Sequence, residues 1–195
     1  MFITLAEESK YEEEIKKSRF LVFAKRVESP EEALAYLDEV MVPDARHNCW
    51  AYKVGQAYRF DDDGEPSGSA GKRILAAIEQ QGLDQVMVVV VRWFGGIKLG
   101  VGGLSRAYGG SASTCLREAE KLEVKEQCQF SVKSSFELVH QVHYLFGQFS
   151  VTKLSEQYES YGVYLEGQID AEAYDGLLSE AENLCRGQLT LKKLD

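Results

Sequence analysis

QVMVVVVRWFGGIKLGVGGLSRAYGGSA, residues 85–112, changes character twice within 28 positions. Its first part holds six consecutive apolar residues, 86–91, far short of the roughly 20 needed to cross a bilayer. An unbroken run of this length reads instead as a strand buried on both faces. Gly95, Gly96, Gly100, Gly102 and Gly103 then break the pattern, and from residue 102 to 121 the spacing becomes helical. Seven of the chain's 17 glycines lie between residues 95 and 110, which sets a functional loop against ordinary scaffold.

Outward from this stretch, strands and helices alternate. KKSRFLVFAKRV alternates as a strand, and SPEEALAYLDEVMV begins a helix with Ser29 as N-cap and Pro30 at its first position. HNCWAYKVG and QAYRF read as a hairpin about Gly55, and a second helix is predicted over residues 71–81. Residues 129–194 carry their own order: strand, helix, two strands about Gly162, amphipathic helix, final strand. That is the β-α-β-β-α-β or ferredoxin-like unit. The fold class expected is α+β in two domains, 1–127 and 128–195, joined without a Pro/Gly/Ser linker and therefore packed rather than wandering.

With 195 residues, 45% of them hydrophobic and 27% charged, the chain is a globular protein and not a disordered or fibrous one. The N-terminus has a short apolar start followed at once by acids, unlike a secretory signal, so a cytoplasmic address is expected. Cys49, Cys115, Cys128 and Cys185 form no CxxC pair and read as reduced thiols. The net charge of −9 argues against nucleic acid or anionic membrane only if it is spread evenly. It is not: residues 85–117 contain Arg92, Lys98, Arg106 and Arg117 and no Asp or Glu.

Two segments carry candidate chemistry. RFDDDGEPSGSAGKRIL, residues 59–75, is a strand end, an acidic turn, a small-residue loop and a helix start bearing Lys72 and Arg73. Free N–H groups at a helix start beside cations suit an anion; a tight turn before a capped helix explains the same residues. A P-loop is not present, because Pro66 stands at its first glycine and Arg73 follows Lys72. Asp61, Asp62 and Asp63 fail the EF-hand spacing at Pro66 and read as turn carboxylates. Ser69 and Lys72 match SxxK, and residues 103–107 resemble a GxSxG elbow with Ala107 in its last place; neither has the partners hydrolysis needs. His47 and Cys49 share a strand face without a second pair to complete a metal shell, so a buried strand histidine is the simpler reading.

In residues 92–112, Arg92, Lys98 and Arg106 could neutralise phosphate while Trp93, Phe94 and Tyr108 stack on bases, as a single-stranded RNA surface requires. The plainer alternative puts the aromatics in the core and uses the glycines for helix packing. A dinucleotide fingerprint fails because Ser105 occupies its third glycine position.

Taken together, KKSRF, HNCWAYK, FDDDGEPSGSAGKRIL and VVRWFGGIKLGVGGLSRAYGGSA resemble the IMPACT/YigZ family over residues 10–120. On that resemblance the family's signature loops are Asp62, Asp63, Gly64, Glu65, Pro66, Gly68 and Gly71, then Gly95, Gly96, Gly100, Gly102 and Gly103. Three positions depart from the usual pattern: Ser69 and Val101 replace common threonines, and Trp93 a common tyrosine. The resemblance implies a first domain with the fold of a ribosomal-protein second domain and a second like the last domain of elongation factor G. It implies a role in translation control, and it transfers no catalytic residue and no cofactor. The label of proline dipeptidase given to some members finds no Asp/His/Glu metal cluster here.

The leading expectation is a non-catalytic regulator that binds RNA, the ribosome or a translation factor, not a membrane, with Arg92, Lys98 and Arg106 as phosphate contacts and Lys72 and Arg73 as a second anion site. An alternative is an enzyme on a small phosphorylated or nucleotide ligand, with Asp61, Asp62, Asp63 and Glu65 holding magnesium. A third is a pure protein-interaction module whose acidic second domain meets a basic partner.

Overall fold

The computed structural model describes residues 1–160, 162–186 and 188–194, in two compact units, Met1–Val124 and Lys125–Asp195. Both mix α and β structure.

The first unit runs β1 (Phe2–Leu5), β2 (Ser9–Ile15), β3 (Ser18–Arg26), α1 (Pro30–Val40), β4 (His47–Val54), β5 (Ala57–Asp61), α2 (Gly71–Gln80), β6 (Val86–Trp93), α3 (Gly100–Glu118) and β7 (Lys121–Val124). Five strands form one antiparallel sheet in the order β2-β3-β6-β4-β5, and β1 pairs with β7 apart from it. The apolar run of β6 lies at the centre, and its period of two explains why no polar residue interrupts it. Val86, Val88 and Val90 pack with Ile74 and Ile78 of α2 and Leu104, Tyr108 and Leu116 of α3. Met87, Val89 and Val91 face the other way, toward Ala33 and Tyr36 of α1 and Trp50 and Tyr52 of β4. Both sheet faces are therefore covered although every pairing is antiparallel.

Local chemistry sets the helix starts. Ser29 Oγ accepts from Glu32 N at 3.1 Å while the Glu32 carboxylate reaches back to Glu28 N at 2.7 Å, a reciprocal cap ahead of α1. Helix α3 carries Gly102, Gly103, Gly109 and Gly110, each costing about 1 kcal/mol in helix propensity. Its stripe of Leu104, Ala107, Tyr108, Ala112, Cys115 and Leu116 holds it in place by burial.

The second unit runs β8 (Gln127–Ser134), α4 (Val139–Gln148), β9 (Thr152–Glu159), β10 (Gly162–Asp170), α5 (Tyr174–Cys185) and β11 (Thr190–Lys193). Its sheet is antiparallel in the order β11-β8-β10-β9. Phe130, Val132, Leu165 and Ile169 of the sheet enclose a core with Val142, Leu145 and Phe146 of α4 and Tyr174, Leu177 and Ala181 of α5. Among the described residues no helix is long and apolar enough to cross a membrane.

Candidate ligand-binding site

The site is built where β4 and β6 lie side by side, with His47 opposite Arg92 and Cys49 opposite Val90. The acidic turn that follows β5 folds over this end of the strands. Asp62 accepts three backbone N–H bonds: from Gly68 at 2.7 Å on Oδ2, and from Ala70 at 3.0 Å and Gly71 at 2.8 Å on Oδ1. It acts as the cap that α2 lacks from its own Ala70. Asp63 Oδ2 accepts from Asn48 N at 2.6 Å, and Asp61 Oδ1 accepts from Asp63 N at 2.7 Å. A Cβ on Gly71 would sit 2.5 Å from the Asp61 carbonyl oxygen, so only glycine lets the helix start this close to the turn.

These bonds change the reading of the acidic segment. The N–H groups expected to receive an external anion beside Lys72 and Arg73 already hold Asp62. Both cations are exposed, and neither lines the pocket described below. Of the carboxylates expected to hold magnesium, Asp61, Asp62 and Asp63 are engaged with backbone N–H groups and Glu65 with the side chains of Arg92 and Tyr108; no group of three or more His, Cys, Asp or Glu among the described residues could hold a metal ion. Ser69 is buried and donates to the Pro66 carbonyl at 2.6 Å, which leaves the SxxK pattern as loop structure.

The turn delivers Glu65 into the interior, 9% exposed. Its Oε1 accepts from Arg92 Nη1 at 2.5 Å and from the Tyr108 hydroxyl at 2.8 Å, with His47 Nε2 3.7 Å away. Arg92 is itself 5% exposed and reaches Ser18 Oγ at 3.4 Å through Nη2, while its buried Nε has no partner among the described residues. His47 is fixed from its other nitrogen, Nδ1, which stands 2.6 Å from the Asp63 carbonyl. Cys49 Sγ donates to the Asp62 carbonyl at 3.0 Å. Burial pushes the Cys49 thiol and the Tyr108 phenol well above their ordinary ranges, so both stay protonated at neutral pH and neither is a poised nucleophile.

Beside this buried ion pair opens a pocket of about 450 Å³. Phe94, Leu99, Val101, Leu104 and Pro66 give it apolar walls, while Arg46, His47, Glu65, Arg92 and Lys98 bring charge and hydrogen-bonding groups. Gly100 and Val101, the first residues of α3, also line it, and that helix start has no side-chain cap and no acid in its first turn. A smaller hollow of about 210 Å³ shares Leu99 and is bordered by Lys16, Gly103 and Arg106. The turn bearing Lys16 is brought close at Gly95, where a Cβ would fall 1.7 Å from the Lys17 carbonyl oxygen.

Of the five cations expected to contact phosphate, Lys98 and Arg106 therefore border adjoining hollows, Arg92 lies buried against Glu65, and Lys72 and Arg73 stand elsewhere. The aromatics divide in the same way. Phe94 is 48% exposed at the pocket and Trp93 half-buried under the Arg19 guanidinium, but Tyr108 is wholly in the core and cannot stack on a ligand. Sequence reasoning missed Arg46 and Lys16. Arg46 lies just ahead of the HNCWAYK segment and outside the acid-free stretch of residues 85–117; Lys16 and Lys17, read as the start of a strand, instead form a turn whose positive φ angles, 48° and 65°, a two-residue hairpin requires.

The sequence matches the Impact N-terminal domain over residues 16–116. It is similar to an IMPACT family member of Thermus thermophilus, 50% identical over 129 residues, 66% of this chain and 72% of that one. A Haemophilus influenzae IMPACT family member is 34% identical over 192 residues, 95% and 93% of the two chains. A Saccharomyces cerevisiae Protein IMPACT homolog is 39% identical over 93 residues, 43% of this chain and 35% of that one. Among solved structures, one described as a hypothetical protein is similar with a TM-score of 0.70 and 32% identity, covering 100% of this chain and 97% of that one.

Proposed function

The chain belongs to the IMPACT family, and from that membership we propose that it is a non-catalytic, translation-associated regulator that binds RNA of the ribosome through the pocket face of its first unit. The observation that carries this reading is the charge arrangement. Arg46 and Lys98 line one pocket together with exposed Phe94, Lys16 and Arg106 border the next, and Glu65, the carboxylate within the lining, is neutralised by Arg92. Cations that neutralise phosphate beside an exposed aromatic are the elements of a single-strand surface. The free start of α3 adds a partial positive charge at the same place.

We infer the finer fold of each domain from the same membership. The first domain, 1–127, takes the fold of a ribosomal-protein second domain. The second, 128–195, is ferredoxin-like and resembles the last domain of elongation factor G, which its β-α-β-β-α-β order supports. A cytoplasmic address accords with this role.

The test is co-sedimentation with ribosomes and with free structured RNA across a salt series. Binding should weaken steeply with salt, and Lys98→Glu combined with Arg106→Glu should abolish it, or lower the salt slope by about two if residual binding persists. Unchanged binding by the folded double variant would overturn the assignment. Salt-sensitive capture of proteins that survives nuclease treatment would replace it with the interaction-module reading. The pocket volume of about 450 Å³, inside the range that takes a small ligand, favours a second reading in which the ligand is a free phosphorylated compound.

A further inference from the structure

We propose that the 450 Å³ pocket binds one unpaired nucleoside phosphate, its base between the apolar walls and its phosphate at the start of α3 between Arg46 and Lys98. This rests on the reading that the face receives a phosphate-bearing ligand, and it names which part of that ligand enters the molecule.

A surface that only tracked a phosphate backbone would need cations and little else. This one has depth, and its walls are largely carbon: Phe94, Leu99, Val101 and Leu104. Such walls match a flat, weakly polar ring better than a second phosphate. Phe94 keeps about half its surface open, and the Arg92 guanidinium lies 5.7 Å from its ring centroid, so the ring is braced as a stacking partner.

The start of α3 and two exposed cations place an anion in the same pocket. The first turn of α3 presents backbone N–H groups with no side-chain cap and no acidic neighbour, unlike α2, whose start Asp62 closes. Arg46 and Lys98, both exposed, line the same pocket and bring two positive charges to it. His47 and Glu65 supply hydrogen-bonding groups for the edge of a base. A base paired within a duplex is stacked on both sides and cannot enter, so the site selects single strands, ends or free nucleotides.

The experiment measures binding of four probes to the whole chain by fluorescence anisotropy and thermal shift: uridine and adenosine 5′-monophosphate, a single-stranded oligoribonucleotide, and a blunt RNA duplex. Two variants accompany the wild type. Phe94→Ala removes the stacking ring from an exposed position, and Val101→Glu puts a carboxylate at the helix start, where it suits the fold but occupies the anion position. Single strands should bind more tightly than the duplex, and Phe94→Ala should weaken them about tenfold. Val101→Glu should raise thermal stability while abolishing the same binding. Free monophosphates that bind with the same sensitivity identify a mononucleotide ligand, and binding by the oligomer alone identifies a nucleotide within a chain; either supports the proposal. Equal binding of single strand and duplex, unmoved by Phe94→Ala but lost in the Lys98/Arg106 reversal, overturns it and leaves the RNA-surface reading intact. No binding of any probe or of ribosomes overturns both.

Discussion

Replacing Arg92 with methionine tests whether the Glu65–Arg92 pair organises the site. Both side chains are almost wholly buried, and the guanidinium supplies the shorter of the two bonds to Glu65 Oε1. Arg92→Met keeps an unbranched apolar stem and leaves a carboxylate in the interior with the Tyr108 hydroxyl as its remaining close donor. Removing one partner of a buried pair costs about 3–5 kcal/mol. The surviving Tyr108 bond places this case near the lower end, at about 3 kcal/mol. For a unit of this size that is a fall in Tm of roughly 10–15 °C. Adding Glu65→Gln removes the orphaned charge while its amide oxygen still accepts from Tyr108, so the double variant should recover to within about 1–2 kcal/mol of wild type. Urea unfolding followed by tryptophan fluorescence is the suitable assay, because both tryptophans, Trp50 and Trp93, lie in the first unit and report it alone. A double variant as unstable as Arg92→Met, or single effects that simply add, would refute the account of Glu65 as a charge held by Arg92.

Other consequences are quicker to check. Burial would by itself raise the Asp84 carboxyl, but Lys53 at 2.8 Å and the N–H groups of Gly55 and Gln85 hold it below its ordinary value. Its stabilisation is then present above the ordinary carboxylate range and lost as pH falls through the lowered value, so the advantage of wild type over Asp84→Asn in urea should shrink between about pH 6 and about pH 3. Burial pushes the Cys115 thiol up to about 11 and raises Cys49 and Cys185 as well, so a thiolate reagent at pH 8 should modify half-buried Cys128 first and reach the other three only on unfolding. Within α3 a Cβ on Gly110 meets nothing within 4 Å, so Gly110→Ala should stabilise by about 0.5–1 kcal/mol, whereas Gly95→Ala, colliding with Lys17, should destabilise by about 2 kcal/mol or more in the same titration.

What the sequence disclosed follows from the range of the forces involved. β6, α1, α2 and the whole order of the second unit follow from periodicity, with the Ser29 cap marking α1 as well, and these are legible from neighbouring residues. β1, β2 and β7 are not. β2 is SKYEEEI, an edge strand in which Lys10, Glu12 and Glu14 point to solvent and Ser9, Tyr11, Glu13 and Ile15 are partly covered, so acids mask its alternation. β1 and β7 are four residues each and exist by pairing across more than 110 positions. The site divides by the same rule. The glycine clusters and the cations of residues 92–106 announce themselves, but the contact of Glu65 with Arg92 spans 27 positions and that with Tyr108 spans 43. Arg92 looks like a phosphate ligand until its partner is seen.

An acidic protein with three consecutive aspartates beside a cationic pocket would repel phosphate if those charges faced it. The structure removes most of that opposition through hydrogen bonds rather than distance. Asp62 closes the start of α2, Asp63 binds Asn48 N across the sheet edge, and Asp61 holds the turn that carries both. Each carboxylate is directed at N–H dipoles that partly offset its field. Glu65, the next acid along, is the one that enters the pocket lining, and it arrives already matched by Arg92. Asp62→Asn should therefore loosen the start of α2 without tightening RNA, because the charge it removes is already turned away. If Asp62→Asn instead strengthened binding severalfold at low salt, the aspartates would be shown to act on the pocket as an electrostatic gate, and the division of labour between the acidic turn and the glycine loop would have to be redrawn.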